Sequence, residues 1–571
     1  MQDRLALNPL LGPVLGPPRR SSGHSRWLLA VAAAFTVVQL IVVVPGSGLG
    51  WDEAVYVSQV GGNAPPAFFS APRARGISYL VAPVASWTAS TTAIRVYLAL
   101  LSGSAFYVCL WIWRKVLTTA VLACAGALFA TLWITLYYGP EVMPNLWCAF
   151  GALAAVGCVL RAIGRAGDRA AVVGAGVAVA VVGVMRPADG VWLALPLAAS
   201  TLLVPGRRRP AVFAAIVGGL VIGAAPWVIE AYLHYGGLSA RLHRASEIQG
   251  GLGWNVAVDD QVRTLAGRSL CRPCNVPWRY PLTAAWWFAL PVVVVGGIVA
   301  AFRAHRGSAA LLATVTAASM AVPYLFFIDY AAPRFLLPAY ALLALPAGEC
   351  GVFLLSGVRL APRPVTAAVL ALVLAGHLSI QLGVLARMTA VNRSMRAHYT
   401  AVAAGLHRLG VRPPCMVTGY MAVPIAYYAG CSSRQPSGHD ASITPDGIRA
   451  AQRDMPVAVI VADSHVPPPR YARSWRPVSL PDERGRPAYR VYLPPGSAGS
   501  VTSKDATRRL PTPPEKRSLG VTGVRTISRE HSCTHRSPGA AQNAGQTLLL
   551  KVDEATARAT TSMFCWTDPP S

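Results

Sequence analysis

The sequence predicts an all-α, polytopic membrane protein of about eleven transmembrane helices, followed by a small extracytoplasmic α/β domain. Three observations predict it. Only 13% of the 571 residues are charged and 54% are hydrophobic, whereas a soluble domain carries about a quarter charged residues. Apolar runs long enough to cross a bilayer recur as far as about residue 387. The Arg residues between those runs fall in every second loop, as the positive-inside rule requires.

The first run, Trp27 to Val44, follows the basic stretch Arg19 to Arg26. It resembles the start of a signal peptide, but it is long and no good small-residue cleavage site follows. At 1.5 Å per residue it reaches roughly 27 Å, close to the hydrocarbon thickness. It therefore reads as an uncleaved first helix with a cytoplasmic N-terminus. Apolar runs bounded by charge, Gly or Pro place helices at 27–45, 95–113, 117–137, 145–160, 170–185, 191–204, 211–234, 282–302, 308–328, 335–356 and 365–386. Several of these are short for a span, so tilted or broken helices are expected.

The formal net charge of +27 could suggest nucleic acid. Its distribution argues for topology instead, because the clusters Arg114-Lys115, Arg161 to Arg169, Arg207 to Arg209, Arg303 to Arg306 and Arg359 to Arg363 occupy alternate loops. No nucleic-acid partner is expected. An odd number of crossings puts 388–495 outside, on the same side as the loops 46–94, 138–144, 186–190, 235–281 and 329–334. Four parts follow: a cytoplasmic segment 1–26, a transmembrane domain 27–387, a small extracytoplasmic domain 388–495, and a tail 496–571. In the third part, β-like runs (Cys415 to Thr418, Val457 to Ala462, Ala488 to Tyr492) alternate with a helical stretch at 394–409. The tail is rich in Ser, Thr, Arg and Pro, holds three of the four Lys residues, and reads as disordered and functionally silent.

Five of the eleven Cys residues, Cys109, Cys124, Cys148, Cys158 and Cys350, lie in apolar runs, where a thiol packs as a small hydrophobe. Cys415 and Cys431 flank a short apolar turn on the oxidising side and are expected to pair. Cys271 and Cys274 form a CxxC in an outer loop. That pair supplies two ligands where a structural zinc needs four, so a local disulfide is expected and no metal site.

Three outer patches could carry chemistry. Gly50-Trp51-Asp52-Glu53-Ala54-Val55-Tyr56 places adjacent carboxylates just beyond the first helix. Carboxylates at a membrane surface are costly unless solvated or used, although Asp52 could simply cap a short helix. Tyr137-Tyr138-Gly139-Pro140-Glu141-Val142-Met143-Pro144-Asn145 is either a second acidic site or a Pro-punctuated turn. Asp329-Tyr330-Ala331-Ala332-Pro333-Arg334-Phe335 is either a cationic site or an interfacial aromatic belt with a snorkelling Arg.

The order and sidedness of these patches, together with the C-terminal outer domain, resemble the C-superfamily of membrane glycosyltransferases. The nearest group is the protein O-mannosyltransferases and lipid A aminoarabinose transferases, and the resemblance covers roughly 27–490. It implies transfer of a sugar, with inversion, from a polyprenyl-phosphate donor to a hydroxyl of an extracytoplasmic glycan, lipid or protein acceptor. No cofactor is implied, and the sequence has no P-loop and no GxGxxG opening a helix after a strand. Asp52 matches the family's proposed general base, Glu53 its companion and Glu141 the second acidic site. The donor phosphate falls to Arg334, then Arg73 or Arg75, then Arg186 in Arg186-Pro187-Ala188-Asp189, since the planar guanidinium can grip phosphate oxygens in pairs. Some relatives use Lys here, whereas Lys115, the only Lys before residue 504, falls in a cytoplasmic loop. Glu230, Arg241 and His243 could enter the site but read better as a solvated loop. The competing class is a transporter or flippase for a lipid-linked or small substrate, which would place paired charges near the bilayer midplane in repeated helices. No such repeat is visible.

Overall fold

The computed structural model describes residues 25–495 apart from 166, 204–208, 273, 275, 276, 279, 358–362, 463–465 and 482–486. The tail 496–571 and nearly all of 1–26 lie outside the described residues, and with them the expectation that the tail is disordered and silent.

Each of the eleven predicted apolar runs is helical. In chain order the helices are α1 (Ser25–Val38, continued by a π-turn Gln39–Val43), α2 (Trp51–Ser58), α3 (Gly76–Ala85), α4 (Thr91–Trp113), α5 (Thr119–Ala130), α6 (Trp133–Tyr138), α7 (Asn145–Gly164), α8 (Arg169–Met185) and α9 (Pro187–Leu203). Next come α10 (Pro210–His234), α11 (Leu238–Ile248), α12 (Val258–Thr264), α13 (Ala285–Arg303), α14 (Gly307–Phe326), α15 (Leu337–Gly357), α16 (Arg363–Arg408), α17 (Ala422–Ala429) and α18 (Pro445–Asp454). By length and composition, eight helices among the described residues can cross a membrane, while Thr119–Ala130 and Arg169–Met185 are shorter apolar helices. The centre of the bundle is α7, buried along 94% of its apolar window against α4, α8 and α15.

Two boundaries differ from the sequence reading for identifiable reasons. The run 117–137 is split at Leu132, which is extended (ψ 131°). There the amide of Trp133 donates to Oε1 of Gln381 at 2.9 Å instead of continuing the helix. The stretches 365–386 and 394–409, read as two helices, are one, because residues 387–393 contain neither Gly nor Pro to stop it. At 1.5 Å per residue its 46 residues reach about 69 Å, twice the hydrocarbon thickness. Its second half therefore stands clear of the apolar layer and buries Tyr399, Val402 and Leu406 in the C-terminal unit's core.

That unit is a five-stranded sheet, β1 (Met416–Gly419), β2 (Ser432–Ser433), β3 (Val457–Val461), β4 (Arg476–Pro481) and β5 (Pro487–Leu493), in the order β2-β1-β3-β5-β4. Strands β2, β1 and β3 are parallel and β5 and β4 antiparallel. The parallel β3 is buried at every residue and reads VAVIV, as a strand covered on both faces does. Helix α17 carries the docking: Val423 and Tyr427 belong to the apolar core of the helical bundle, and α17 packs on α2. The segment before α2 is pinned at the same place. The amide of Gly48 donates to Oδ1 of Asn392 on α16 at 2.8 Å and that of Leu49 to the hydroxyl of Tyr428 at 2.9 Å. A Cβ at Gly48 would lie 2.5 Å from Cβ of Arg396, so only Gly permits this approach.

Candidate active site

Helix α2 begins at an extended Gly50 whose amide donates to Oε2 of Glu53 at 2.9 Å, the reverse half of a capping box. That contact fixes the rotation of the helix. Successive residues on a helix project about 100° apart, so Asp52 and Glu53 face different surroundings.

Asp52 faces outward, with 36% of its side chain exposed. Nη2 of Arg73 lies 2.8 Å from its Oδ1 and Nη2 of Arg334 lies 3.2 Å from its Oδ2. Arg73 is also held by Oγ of Ser70 at 2.6 Å and Oδ1 of Asp440 at 3.2 Å. Its loop is fixed from below by the fully buried Arg241, which donates to the carbonyls of Ala71, Arg73 and Trp227. Gly76 ends the loop, where a Cβ would meet the carbonyl of Val184 at 2.6 Å. Arg334 lies on the 3-10 turn Pro333–Leu336 that leads into α15, and donates to the carbonyl of Ser269 at 2.9 Å. The loop supplying that carbonyl contains the disulfide Cys271–Cys274 and pairs back through Cys271 onto Ala331. Burial pushes the Asp52 carboxyl up, but Arg73 and Arg334, with Arg186 further off, outweigh it and hold it below the usual carboxylate range.

Glu53 faces inward. Its two oxygens take both terminal nitrogens of Arg95, at 2.6 and 2.8 Å, and Oε1 also accepts from the amide of Val142 at 2.7 Å. Arg95 is 0% exposed and reaches Oε1 of Glu141 at 3.3 Å. One guanidinium thus faces two buried carboxylates, which push each other's titration apart. Burial raises both carboxyls. Arg95 outweighs it at Glu53, which stays below its ordinary value, whereas the neighbouring Glu53 charge adds to burial at Glu141 and leaves it well above.

The other two predicted cations have partners of their own. Arg75 binds Glu230 at 2.7 Å and covers the ring of Phe69. Arg186 reaches Oδ2 of Asp189 at 3.4 Å and lies over Tyr324 and Phe335, close enough to act on Asp52 through charge alone. Glu230 and Arg241 pair at 2.9 Å beneath the Arg73 loop, while His243 is exposed and meets Glu247. The structure therefore brings together Asp52, Arg73 and Arg334, with Arg186 beside them. Glu53 and Glu141 meet on Arg95, one layer deeper.

Arg95 and Asp440 escaped the sequence reading. Arg95 had a legible signal, since a cation within an apolar helical run needs a buried partner. Asp440 lies in a polar loop that resembles any other. Among the described residues, no group of three or more His, Cys, Asp or Glu side chains is arranged to hold a metal ion. The disulfides Cys271–Cys274 and Cys415–Cys431 are both formed.

No family model matches the chain, and no curated protein matches it. Among solved structures, ArnT from Cupriavidus metallidurans bound to undecaprenyl phosphate superposes with a TM-score of 0.60 at 13% identity, over 84% of this chain and 100% of that one. This chain has the ArnT fold. The apo state of the same ArnT matches with a TM-score of 0.55 at 13% identity, over 83% and 98% of the two chains. A more distant likeness is to the Archaeoglobus fulgidus oligosaccharyltransferase tethered to an acceptor peptide, at a TM-score of 0.45 and 14% identity, over 77% of this chain and 69% of that one. The ArnT fold meets the expected fold class, a helical membrane bundle with a small sheet-containing C-terminal unit.

Proposed function

We propose that this chain is a membrane glycosyltransferase that moves a sugar from a polyprenyl-phosphate donor to an acceptor hydroxyl, with inversion. The observation that carries the reading is a solvent-open carboxylate, Asp52, held between two guanidiniums. In the reaction the acceptor hydroxyl attacks the anomeric carbon and passes its proton to Asp52. The bond from that carbon to the phosphate oxygen breaks, and Arg73 and Arg334 take up the charge that develops on the leaving phosphate. Arg73 and Arg334 hold Asp52 below the usual carboxylate range, which weakens it as a base. A phosphate anion on the two arginines cancels the field that lowers it, so arrival of the donor itself raises Asp52 into use. Glu53, Arg95 and Glu141 position α2, and Arg186 adds positive potential.

The ArnT of similar fold was solved with undecaprenyl phosphate, which supports a carrier of that class. A groove of about 650 Å³, lined by Ala266, Tyr280, Leu282, Ile380, Val384 and Arg387, suits a polyprenyl chain. Asp52, Arg73 and Arg334 do not line it. Its wall at Ala266 lies three residues from Ser269, whose carbonyl Arg334 binds. We read 27–387 as the catalytic transmembrane domain and 388–495 as an extracytoplasmic domain, and the two disulfides support an oxidising side for the site.

The test is donor binding and transfer by the purified chain in lipid nanodiscs with undecaprenyl-phosphate sugars. Arg73→Ala and Arg334→Ala should each weaken undecaprenyl phosphate about ten- to a hundredfold, the worth of one charge-assisted contact. Arg75→Ala, whose partner is Glu230, should not. Equal effects in all three variants would defeat the assignment of the phosphate site. Movement of the lipid-linked sugar across the bilayer without transfer would favour a transporter.

A further inference from the structure

Arg73 is shared by two carboxylates, and they are not equivalent. Asp52 has a second cation in Arg334, whereas Asp440 has Arg73 at 3.2 Å and the indole Nε1 of Trp51 at 2.9 Å. Asp440 comes from the C-terminal unit, from the excursion 435–443 between β2 and α18. The base of that excursion is closed by bonds of Ser442 and Ile443 back to Gln435, whose side chain is fixed to both backbone groups of Gly419. Its tip is different. Ser437, Gly438 and His439 are exposed, and Gly438 turns with φ +82° and nothing near its Cβ position. Among the described residues, Asp440 makes the tip's side-chain hydrogen bonds to the helical bundle.

Arg73 is only 12% exposed and already carries two carboxylates and Ser70, so a third anion cannot join without displacing one. Asp440 is the one to leave, since Asp52 keeps Arg334. We propose that Asp440 occupies the place on Arg73 that the donor phosphate takes, and that phosphate binding releases Asp440 and lifts the tip 436–440 from Trp51. This rests on the phosphate site proposed above. The C-terminal unit thereby acts as a specificity element: the side of the site facing the acceptor opens once a phosphate is seated, and an acceptor cannot be bound ahead of the donor.

The experiment uses the full chain in nanodiscs and measures binding of undecaprenyl phosphate and of inorganic phosphate to wild type, Asp440→Asn, Asp440→Ala and Arg73→Ala, with a nitroxide at Ser437→Cys to report the tip. If the closed state is about 90% populated, removing the competing charge tightens apparent affinity about tenfold. Both Asp440 variants should bind undecaprenyl phosphate about tenfold more tightly, the gain should vanish in the Arg73→Ala background, and undecaprenyl phosphate should sharpen the nitroxide spectrum. Tightening of inorganic phosphate as well supports competition for the phosphate group itself. Tightening of inorganic phosphate alone would overturn the lipid-linked donor as the occupant. Unchanged or weaker binding in both Asp440 variants, with Arg73→Ala still impaired, would overturn the inference and leave the donor site standing. Full binding by Arg73→Ala would overturn both.

Discussion

Replacing Asp52 by Asn separates base from phosphate site, and the structure gives each a magnitude. The amide keeps the shape of the carboxylate and removes its proton acceptor, which costs a general base about 10²- to 10⁴-fold in rate, or about 3 to 5 kcal/mol of barrier. Donor affinity should move the other way. A carboxylate and a phosphate about 4 Å apart repel by about 4 kcal/mol at an effective dielectric near 20. With Asp52 36% exposed, solvent screening reduces that to about 1 to 2 kcal/mol. The lost organisation of the arginines is smaller, because Arg73 keeps Ser70 and Asp440, and Arg334 keeps the carbonyl of Ser269. The expected signature is a kcat lowered at least a hundredfold with undecaprenyl-phosphate affinity about tenfold tighter, read by single-turnover transfer and equilibrium binding in nanodiscs. A variant that turns over near the wild-type rate would remove Asp52 from the chemistry. Loss of kcat with equally weakened donor binding would make it a phosphate-site scaffold instead.

Arg95→Leu leaves the ionised Glu53 buried without its cation and should destabilise the protein by about 3 to 5 kcal/mol. Glu141→Gln should match wild type at about pH 4 and be the more stable of the two at neutral pH, because the amide cannot ionise beside Glu53. The raised Glu141 carboxyl favours the fold fully below its ordinary value of 4.5, and that contribution fades as pH rises through the folded value. Wild type should therefore lose thermal stability in detergent as pH rises above about 4.5 while Glu141→Gln loses less, and parallel curves would refute the raised Glu141 carboxyl. Cysteine labelling in intact cells should reach single cysteines placed at exposed positions within 395–490 and miss 206–210. The opposite pattern would reject the extracytoplasmic site.

What was legible follows from where the free energy lies. Apolar length and Arg placement are imposed by the bilayer residue by residue, so every predicted run is helical. The acidic pair was visible because ionised groups beside hydrocarbon demand a reason. The division of labour among cations was not, because Arg73 and Arg75 differ only in which partner the loop turns toward them: Asp52 and Asp440 for one, Glu230 for the other. Those partners lie up to several hundred residues away in sequence. The break at Leu132 was equally hidden, since the acceptor that caps Trp133 is Gln381 on a helix far along the chain. Residues 387–393 erred in the opposite direction. Their polarity suggested a boundary, but polarity marks where the helix leaves the apolar layer, and nothing there ends its hydrogen bonding.

In the mechanism proposed above, the adjacency of Asp52 and Glu53 is what would make Asp52 a usable base. A carboxylate next to two arginines would ordinarily turn toward the stronger pairing and stay there. Here the helix containing it is prevented from turning: Glu53 is clamped by Arg95 and by two backbone amides, those of Gly50 and Val142. Since the two side chains are separated by a fixed helical rotation, immobilising the inward one sets the outward one. Asp52 can therefore share its arginines with an incoming phosphate and accept from an incoming hydroxyl without the backbone following. Burial and the Glu53 charge hold the Glu141 carboxyl well above its ordinary value, and Arg95 lies against both carboxylates, so the anchor is fully buried while Asp52, one residue away, stays open to solvent.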